Sequence, residues 1–131
     1  MTAYFAVRVG KAGDSENFAE LARKNGYVAI GWHQLGDLSW LNDEPDDVRA
    51  RQRLAERYAE ALEVSGPKLN MGVALVWMFV REMKEGDVVL MPRTSAGLVH
   101  IGRVTGPVTF LPSVDDGCPH RRLAERSRAR S

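Results

Sequence analysis

Short apolar runs near both ends of the chain predict β-strands. Residues 4–9 alternate between two faces, and residues 27–30 form a continuous apolar run that is typical of a buried strand. Residues 87–91 and 98–104 are two further apolar segments, and the turn residues between them predict a hairpin. Residues 108–111 predict a fifth, short strand.

Three segments between these runs carry helical signals. Residues 14–25 follow a glycine-containing loop and predict a helix that ends at Asn25-Gly26. Residues 45–64 predict an amphipathic helix, and residues 71–80 predict a mostly buried helix with Asn70 as its cap. Helical spacing assigns the following residues to the buried face of the second helix: Val48, Ala55, Tyr58, Ala59 and Leu62.

These elements add up to an α+β domain. The most direct architecture is a curved, mixed β-sheet or a partly open β-barrel with about three helices packed outside it. The length of 131 residues is that of one domain. We predict the domain over residues 1–112 and an arginine-rich tail over residues 113–131. Because the tail lacks apolar alternation, we expect no strand in it, and it is either disordered or an arm that contacts nucleic acid.

Charge and cysteine content narrow the classes of partner. The formal net charge is +1, so any contact with nucleic acid requires a local basic patch. The single cysteine, Cys118, excludes an intrachain disulfide and is typical of the cytoplasm, where we expect the protein. The N-terminus has no signal-peptide pattern, and the longest apolar run is about half of a membrane span, so we expect no membrane partner.

Catalytic and metal-binding patterns are weak. The three histidines are far apart in sequence, and the only close pair of soft ligands is Cys118-Pro119-His120. No glycine-rich loop has phosphate-binding spacing, so we expect no metal, no cofactor and no enzymatic activity. An alternative is a small metal-dependent nuclease, because Asp46, Glu82 and Lys84 match the letters of the PD…ExK pattern.

The segment 27–40 contains the strongest candidate for a ligand site. Trp32 follows the strand-ending Gly31 and precedes a polar loop, a position at which a flat ligand could stack. The alternative is that Trp32 fills the core, as is typical of Trp77 in an apolar helix, whereas the position of Trp40 is typical of a residue that covers the sheet edge. Candidates for the ligand's polar partners are Gly10, Lys11, His33, Ser39 and Asn70, and candidates for phosphate contacts are Lys11, Arg93 and Arg103.

The chain resembles the EVE-like branch of the PUA-like fold over residues 4–110. The resemblance is to the small N-terminal domains of Mrr-like and related restriction-system proteins. It is carried by five segments in order: YFAVRVG, YVAIGWHQLGDLS, LNMGVALVWMF, MKEGDVVLMPR and GLVHIGRVTGPVTF. The set is moderately specific, although no single segment is, and the arginine-rich tail departs from the final strand usual in relatives.

The resemblance implies a barrel-like sheet that binds nucleic acid. Relatives, which include the YTH readers, hold a flipped, modified base in an aromatic cage, and a Gly-x-Trp pattern ends one of their strands. Gly31-Trp32 is similar here, so the resemblance implies that Trp32 is a cage wall. It also places residues 10–13 beside the base edge. Trp77 aligns with a tryptophan that recurs in such domains, and the resemblance therefore places it in the base-binding pocket, with core packing as the alternative.

The function that the resemblance implies is recognition of a modified base in DNA without catalysis. The base would be methylated or hydroxymethylated, and the setting would be restriction or defence. Cleavage would then require a partner nuclease chain. Besides the nuclease, the alternatives are an RNA-binding PUA-like domain and a domain that binds a small molecule or a protein.

Overall fold

The computed structural model of the chain describes residues 2–7, 24–93, 97–111 and 118–126. The helix predicted over residues 14–25 lies outside these ranges except for its last two residues, which are helical. The described residues form an α+β structure with three helices and a mixed, open sheet of six strands. Within the same ranges, no helix has the length and apolar character needed to cross a bilayer.

The chain divides into two compact units. Residues 1–33 and 84–131 form the sheet unit, which holds all the described strands. Residues 34–83 form the helical unit, which holds the helices Trp40–Asp43 (α1), Asp47–Leu62 (α2) and Gly66–Trp77 (α3).

The described strands of the sheet are Tyr4–Ala6 (β1), Tyr27–Ile30 (β2), Val88–Arg93 (β3), Leu98–Val104 (β4), Thr109–Phe110 (β5) and His120–Arg126 (β6). Their order is β1-β3-β4-β6-β2, with β5 paired to β6. The sheet is mixed because β1 runs parallel to β3 and the other pairings are antiparallel. Strands β3 and β4 form the predicted hairpin, which is thereby confirmed.

Strand β6 corrects the prediction that the arginine-rich tail lacks a strand. Its first half pairs with β2 and its second half with β4, so it joins two parts of the sheet. His120, Arg122 and Ala124 are buried and alternate with more exposed neighbours, so the period of two is present. The prediction was wrong because histidine and arginine occupy the buried positions, which a search for apolar alternation passes over.

Two buried charged residues are held by the turns of the sheet unit. Arg122 donates from Nε to the carbonyl oxygen of Gly106 at 3.0 Å. The Asp87 carboxylate accepts from the backbone N–H of Lys84 at 2.8 Å and from that of Ala3 at 3.1 Å. The hydrogen bond from Lys84 is the main cause that lowers the pKa of Asp87 below its ordinary value, against the opposing effect of burial. Burial lowers the pKa of Arg122, while two nearby carboxylates raise it.

The helical unit consists of three helices and one wide helical turn. Asp46 caps α2, because its carboxylate accepts from the backbone N–H groups of Val48 at 2.9 Å and Arg49 at 3.2 Å. Arg81 donates to the carbonyl oxygens of Leu41 and Glu44, and it pairs with Asp47 at 2.6 Å. The wide turn is π-helical and spans Met78–Glu82.

Two details of the predicted helices were wrong. The buried residues of α2 are Ala50, Leu54 and Tyr58, four residues apart, whereas Val48 in the first turn is 77% exposed. In a helix with few apolar residues, several faces could be the buried one, and the element that packs against the helix determines which face is buried. Helix α3 begins at Gly66, so Asn70 lies inside it and is not its cap.

Candidate nucleic-acid interface

Trp32 has an unusual backbone conformation for a large side chain. Its φ is 63°, and Glu63 is the only other described non-glycine residue with positive φ. Glu63 ends α2 in the left-handed conformation that commonly terminates helices. Trp32 has no such role, and the left-handed region costs a residue other than glycine about 1–2 kcal/mol. The surrounding structure must therefore hold this residue in place.

His120 contacts the backbone of Trp32. Its Nε2 lies 3.0 Å from the carbonyl oxygen of Trp32. Because a carbonyl oxygen can only accept, Nε2 carries the hydrogen and donates it. His120 is fully buried opposite Ile30 on the neighbouring strand, and its ring lies 5.1 Å from that of Phe110. Residues of β5 and β6 thus lie beside Trp32, which follows β2 along the chain.

Arg121 provides a positive charge on the same strand. Its guanidinium carbon lies 4.2 Å from the centre of the Tyr27 ring, within the range of a cation–π contact. Its Nε donates to the carbonyl oxygen of Cys118 at 3.2 Å. The guanidinium is therefore held in one orientation beside the strand that leads to Trp32.

The predicted polar partners of the ligand fall into three groups. Gly10 and Lys11 lie outside the described residues. His33 follows Trp32 directly, is exposed and begins a short 3-10 turn, His33–Leu35. Ser39 and Asn70 belong to the helical unit, and both are exposed. Trp32 and His33 are thus adjacent in the sheet unit, and the grouping of the others with them stays a prediction.

Trp77 lies in the helical unit, where it is a buried residue of α3. Guanidinium groups lie over its ring, that of Arg81 at 5.2 Å and that of Arg51 at 5.6 Å from the ring centre. These contacts resemble those of a core residue capped by cations, which is the alternative that the sequence left open. Its role at a base-binding site stays a prediction.

The two arginines predicted to contact phosphate lie on the hairpin. Arg93 ends β3 and is paired with Leu98 across the strands. Arg103 is exposed on β4, and its Nη1 donates to the carbonyl oxygen of Gly86 at 2.7 Å. That bond uses one of the five N–H donors of a guanidinium and fixes its orientation, so the others could meet an anion.

His120 and Arg121 were missed as candidate site residues. The sequence placed both in the arginine-rich tail, which was expected to be disordered or to contact nucleic acid as an arm, and it offered His120 only as part of a weak metal-ligand pair. The pairing of β6 with β2 brings them beside the strand that precedes Trp32, across 88 residues of chain. Residues 120–126 show no alternation of polar and apolar residues, because three polar residues are consecutive and Leu123 is exposed. The partners that make burial of polar residues acceptable are remote in sequence.

Residues of the nuclease alternative have other structural roles or are exposed. The carboxylate of Asp46 accepts two backbone N–H groups as the cap of α2. Glu82 is exposed at the end of the π-helical turn, and Lys84 is exposed after it. In the part of the chain that the structure describes, no three histidine, cysteine or acidic residues are grouped so that they could hold a metal ion.

Comparison with known proteins gives one match. A family model described as "Domain of unknown function (DUF8426)" matches residues 5–125, which is nearly the whole chain. No curated protein and no solved structure matches the chain.

Proposed function

We propose that this chain, which belongs to the DUF8426 family, is a non-catalytic module of the PUA-like, EVE-type fold that binds nucleic acid. In this proposal it holds a modified base of DNA against Trp32. The observation that carries the proposal is the left-handed backbone of Trp32 at the end of a buried strand. Strained positions of this kind concentrate at ligand sites, and an indole offers a flat face to a base.

The energetics of such a site require more than the indole. Stacking on an aromatic side chain contributes about 1–3 kcal/mol per base, and extrusion of a base from a duplex costs a few kcal/mol. Hydrogen bonds to the base edge must supply the rest, and His33 and the loop with Gly10 and Lys11 are the proposed donors and acceptors. Because His120 already fixes the backbone of Trp32, little ordering cost remains on binding.

Discrimination of a modified base would come from the shape of the pocket. One additional methyl group in an apolar pocket changes binding by about 1–3 kcal/mol. The proposed reader would therefore prefer its modified base by roughly tenfold to a hundredfold. Cleavage of the recognised DNA would belong to a separate nuclease chain, in a restriction or defence system of the cytoplasm.

The first experiment is a titration with labelled DNA duplexes. One duplex is unmodified, and the others carry 5-methylcytosine, 5-hydroxymethylcytosine or N6-methyladenine, while a matched RNA serves as the comparison. Tighter binding of one modified duplex, with quenching of tryptophan fluorescence, is the expected result. Equal, salt-sensitive binding of all duplexes would indicate backbone contacts alone, and preference for the RNA would redirect the proposal to RNA.

Two glycine variants test whether the ring of Trp32 carries the preference. Trp32→Gly removes the ring and relieves the left-handed backbone, so the fold should remain while the preference is lost. Glu63→Gly relieves the other left-handed backbone without touching the site, and it should retain the preference. If Trp32→Gly unfolds the protein, the ring is a core residue and the site is wrongly assigned; if it keeps the preference, Trp32 does not contact the base.

A further inference from the structure

Helix α3 is apolar on two faces, and only one of them is buried. Gly72, Val73, Val76 and Trp77 are its buried residues. The opposite face carries Met71, which is 70% exposed, and Leu75, which is 43% exposed, and it continues to the partly exposed Met78, the first residue of the π-helical turn. These three residues, the outer stripe, are spaced by four and three positions and so lie along one side of the helix.

Opposite charges stand at the two ends of the outer stripe. Lys68 lies three residues before Met71, and Glu82 lies four residues after Met78. Both are exposed, and neither forms an ion pair within the described ranges. Leu75 lies midway between them, seven residues from each. Two copies of the stripe placed side by side in antiparallel orientation are therefore complementary. Apolar residues then face apolar residues, and the positive end of each copy faces the negative end of the other.

We propose that the outer stripe is the contact between two copies of this chain, packed as antiparallel helices about a two-fold axis at Leu75. In that arrangement Lys68 of one copy faces Glu82 of the other, and symmetry makes this contact twice. Met71 meets Met78 of the second copy, and the two Leu75 side chains meet at the axis. A parallel arrangement would instead place Lys68 against Lys68 and Glu82 against Glu82, which repel.

The composition of the stripe suits a weak, reversible dimer. Methionine is unbranched and adapts to an opposing surface, and leucine at the centre supplies apolar area. A single pair of short helices buries less area than stable dimers usually do. We therefore expect a dissociation constant of the dimer in the micromolar range or above. This contact does not require that the chain bind nucleic acid.

The first test is the oligomeric state of the full chain by sedimentation equilibrium, over concentrations up to about 1 mM. The wild-type protein should dimerise reversibly. Leu75→Glu places two like charges at the axis and should raise the dissociation constant by on the order of a hundredfold. The matched control is Val99→Glu, the same kind of change at an exposed site of β4, which should leave the constant within about threefold.

A charge exchange tests the antiparallel geometry. Lys68→Glu or Glu82→Lys alone should weaken the dimer by roughly threefold to tenfold, because each creates two repulsive contacts. The double variant should restore it. Lys68 and Glu82 of one copy are roughly 20 Å apart along the helix, so this rescue can only arise between copies.

Three results would overturn the proposal. If the wild-type chain stays monomeric at all protein concentrations tested, the outer stripe does not bind a second copy of the chain. A dimer that is indifferent to Leu75→Glu uses a different surface. A dimer that is sensitive to Leu75→Glu but not rescued by the double charge exchange is not antiparallel about Leu75. Circular dichroism of each variant confirms that these exposed substitutions leave the fold intact.

Discussion

Gly72 shows how one residue decides how two helices pack. It lies on the buried face of α3, and a β-carbon at this position would overlap the hydroxyl group and ring of Tyr58 on α2. Tyr58 is itself buried, so its ring cannot swing into solvent. The absence of a side chain at Gly72 is therefore a packing requirement, not a need for an unusual backbone.

We expect Gly72→Ala to lower the free energy of unfolding by about 1–3 kcal/mol, the usual cost of overpacking. We expect this loss of stability although alanine is intrinsically a better helix former than glycine by about 1 kcal/mol. Urea denaturation measures the free energy of unfolding. Asn70→Ala, an exposed change on the same helix, should stay within about 0.5 kcal/mol of the wild-type protein. Equal or greater stability of Gly72→Ala would contradict the close contact with Tyr58.

Asp87 gives the sheet unit a defined dependence on pH. Its pKa is lowered in the folded state, first by the hydrogen bond from the backbone N–H of Lys84, so the unfolded chain binds its proton more tightly. The stability that Asp87 contributes is therefore present above the unfolded pKa and is lost as the pH falls through the folded pKa. The affected window lies below about pH 4.

Asp87→Asn should reduce the free energy of unfolding at neutral pH by about 1–3 kcal/mol, because a charged acceptor of two backbone hydrogen bonds is lost. It should also flatten the fall in stability in acid, which urea denaturation at a series of pH values measures. Lys84→Ala keeps the donating N–H group and should keep most of the acid dependence. Identical acid profiles for Asp87→Asn and the wild-type protein would show that another carboxylate is responsible.

At the scale of elements, β6 connects strands from distant parts of the chain. It pairs with β2 through residues 120–123 and with β4 through residues 124–126. The N–H of Ala124 also donates to the carbonyl oxygen of Gly26 at 3.0 Å, where the chain turns into β2. The same strand carries His120, so the position of Trp32 depends on it.

Ala124→Pro should destabilise the protein by at least about 2 kcal/mol, because proline removes this donor from a buried strand position. Thermal unfolding followed by circular dichroism measures the loss. Glu125→Ala changes the exposed neighbour and should be close to neutral. Should Ala124→Pro unfold with the wild-type midpoint, β6 would not be part of the cooperative sheet.

At the scale of the whole molecule, charge is balanced and attraction to nucleic acid must be local. The net charge of +1 gives little long-range attraction to a polyanion. Binding by the proposed reader would then depend on a few fixed guanidinium groups. Arg103 is the best placed of the described candidates, because its contact with Gly86 orients an exposed side chain.

We expect Arg103→Ala to weaken binding of every duplex alike and to reduce the slope of log affinity against log salt by about one unit. Anisotropy titrations at several salt concentrations measure this slope. Arg49→Ala removes an exposed arginine of α2 and should leave the slope unchanged. An unchanged slope for Arg103→Ala would show that this residue contacts no phosphate.

Local pattern was enough to predict most of the described strands and the two longer described helices. The strand at Tyr27–Ile30, the β3–β4 hairpin and the helices α2 and α3 were all predicted near their observed positions. Their signals are apolar runs, turn residues and helical spacing, all of which lie within a few residues of each other. The α+β class followed from the order of these elements, whereas its assignment to the PUA-like fold remains part of the proposal.

Only the tertiary structure decided which faces of the elements are buried, which strands β6 pairs with, and which backbone conformation Trp32 adopts. Ala50 instead of Val48 lies on the buried face of α2, and His120 and Arg122 occupy buried positions of a strand. The carbonyl group of Trp32, whose backbone is left-handed, accepts a hydrogen bond from His120, which is remote in sequence. In each case the stabilising partner is distant along the chain, and a polar or strained residue becomes acceptable only when that partner satisfies it.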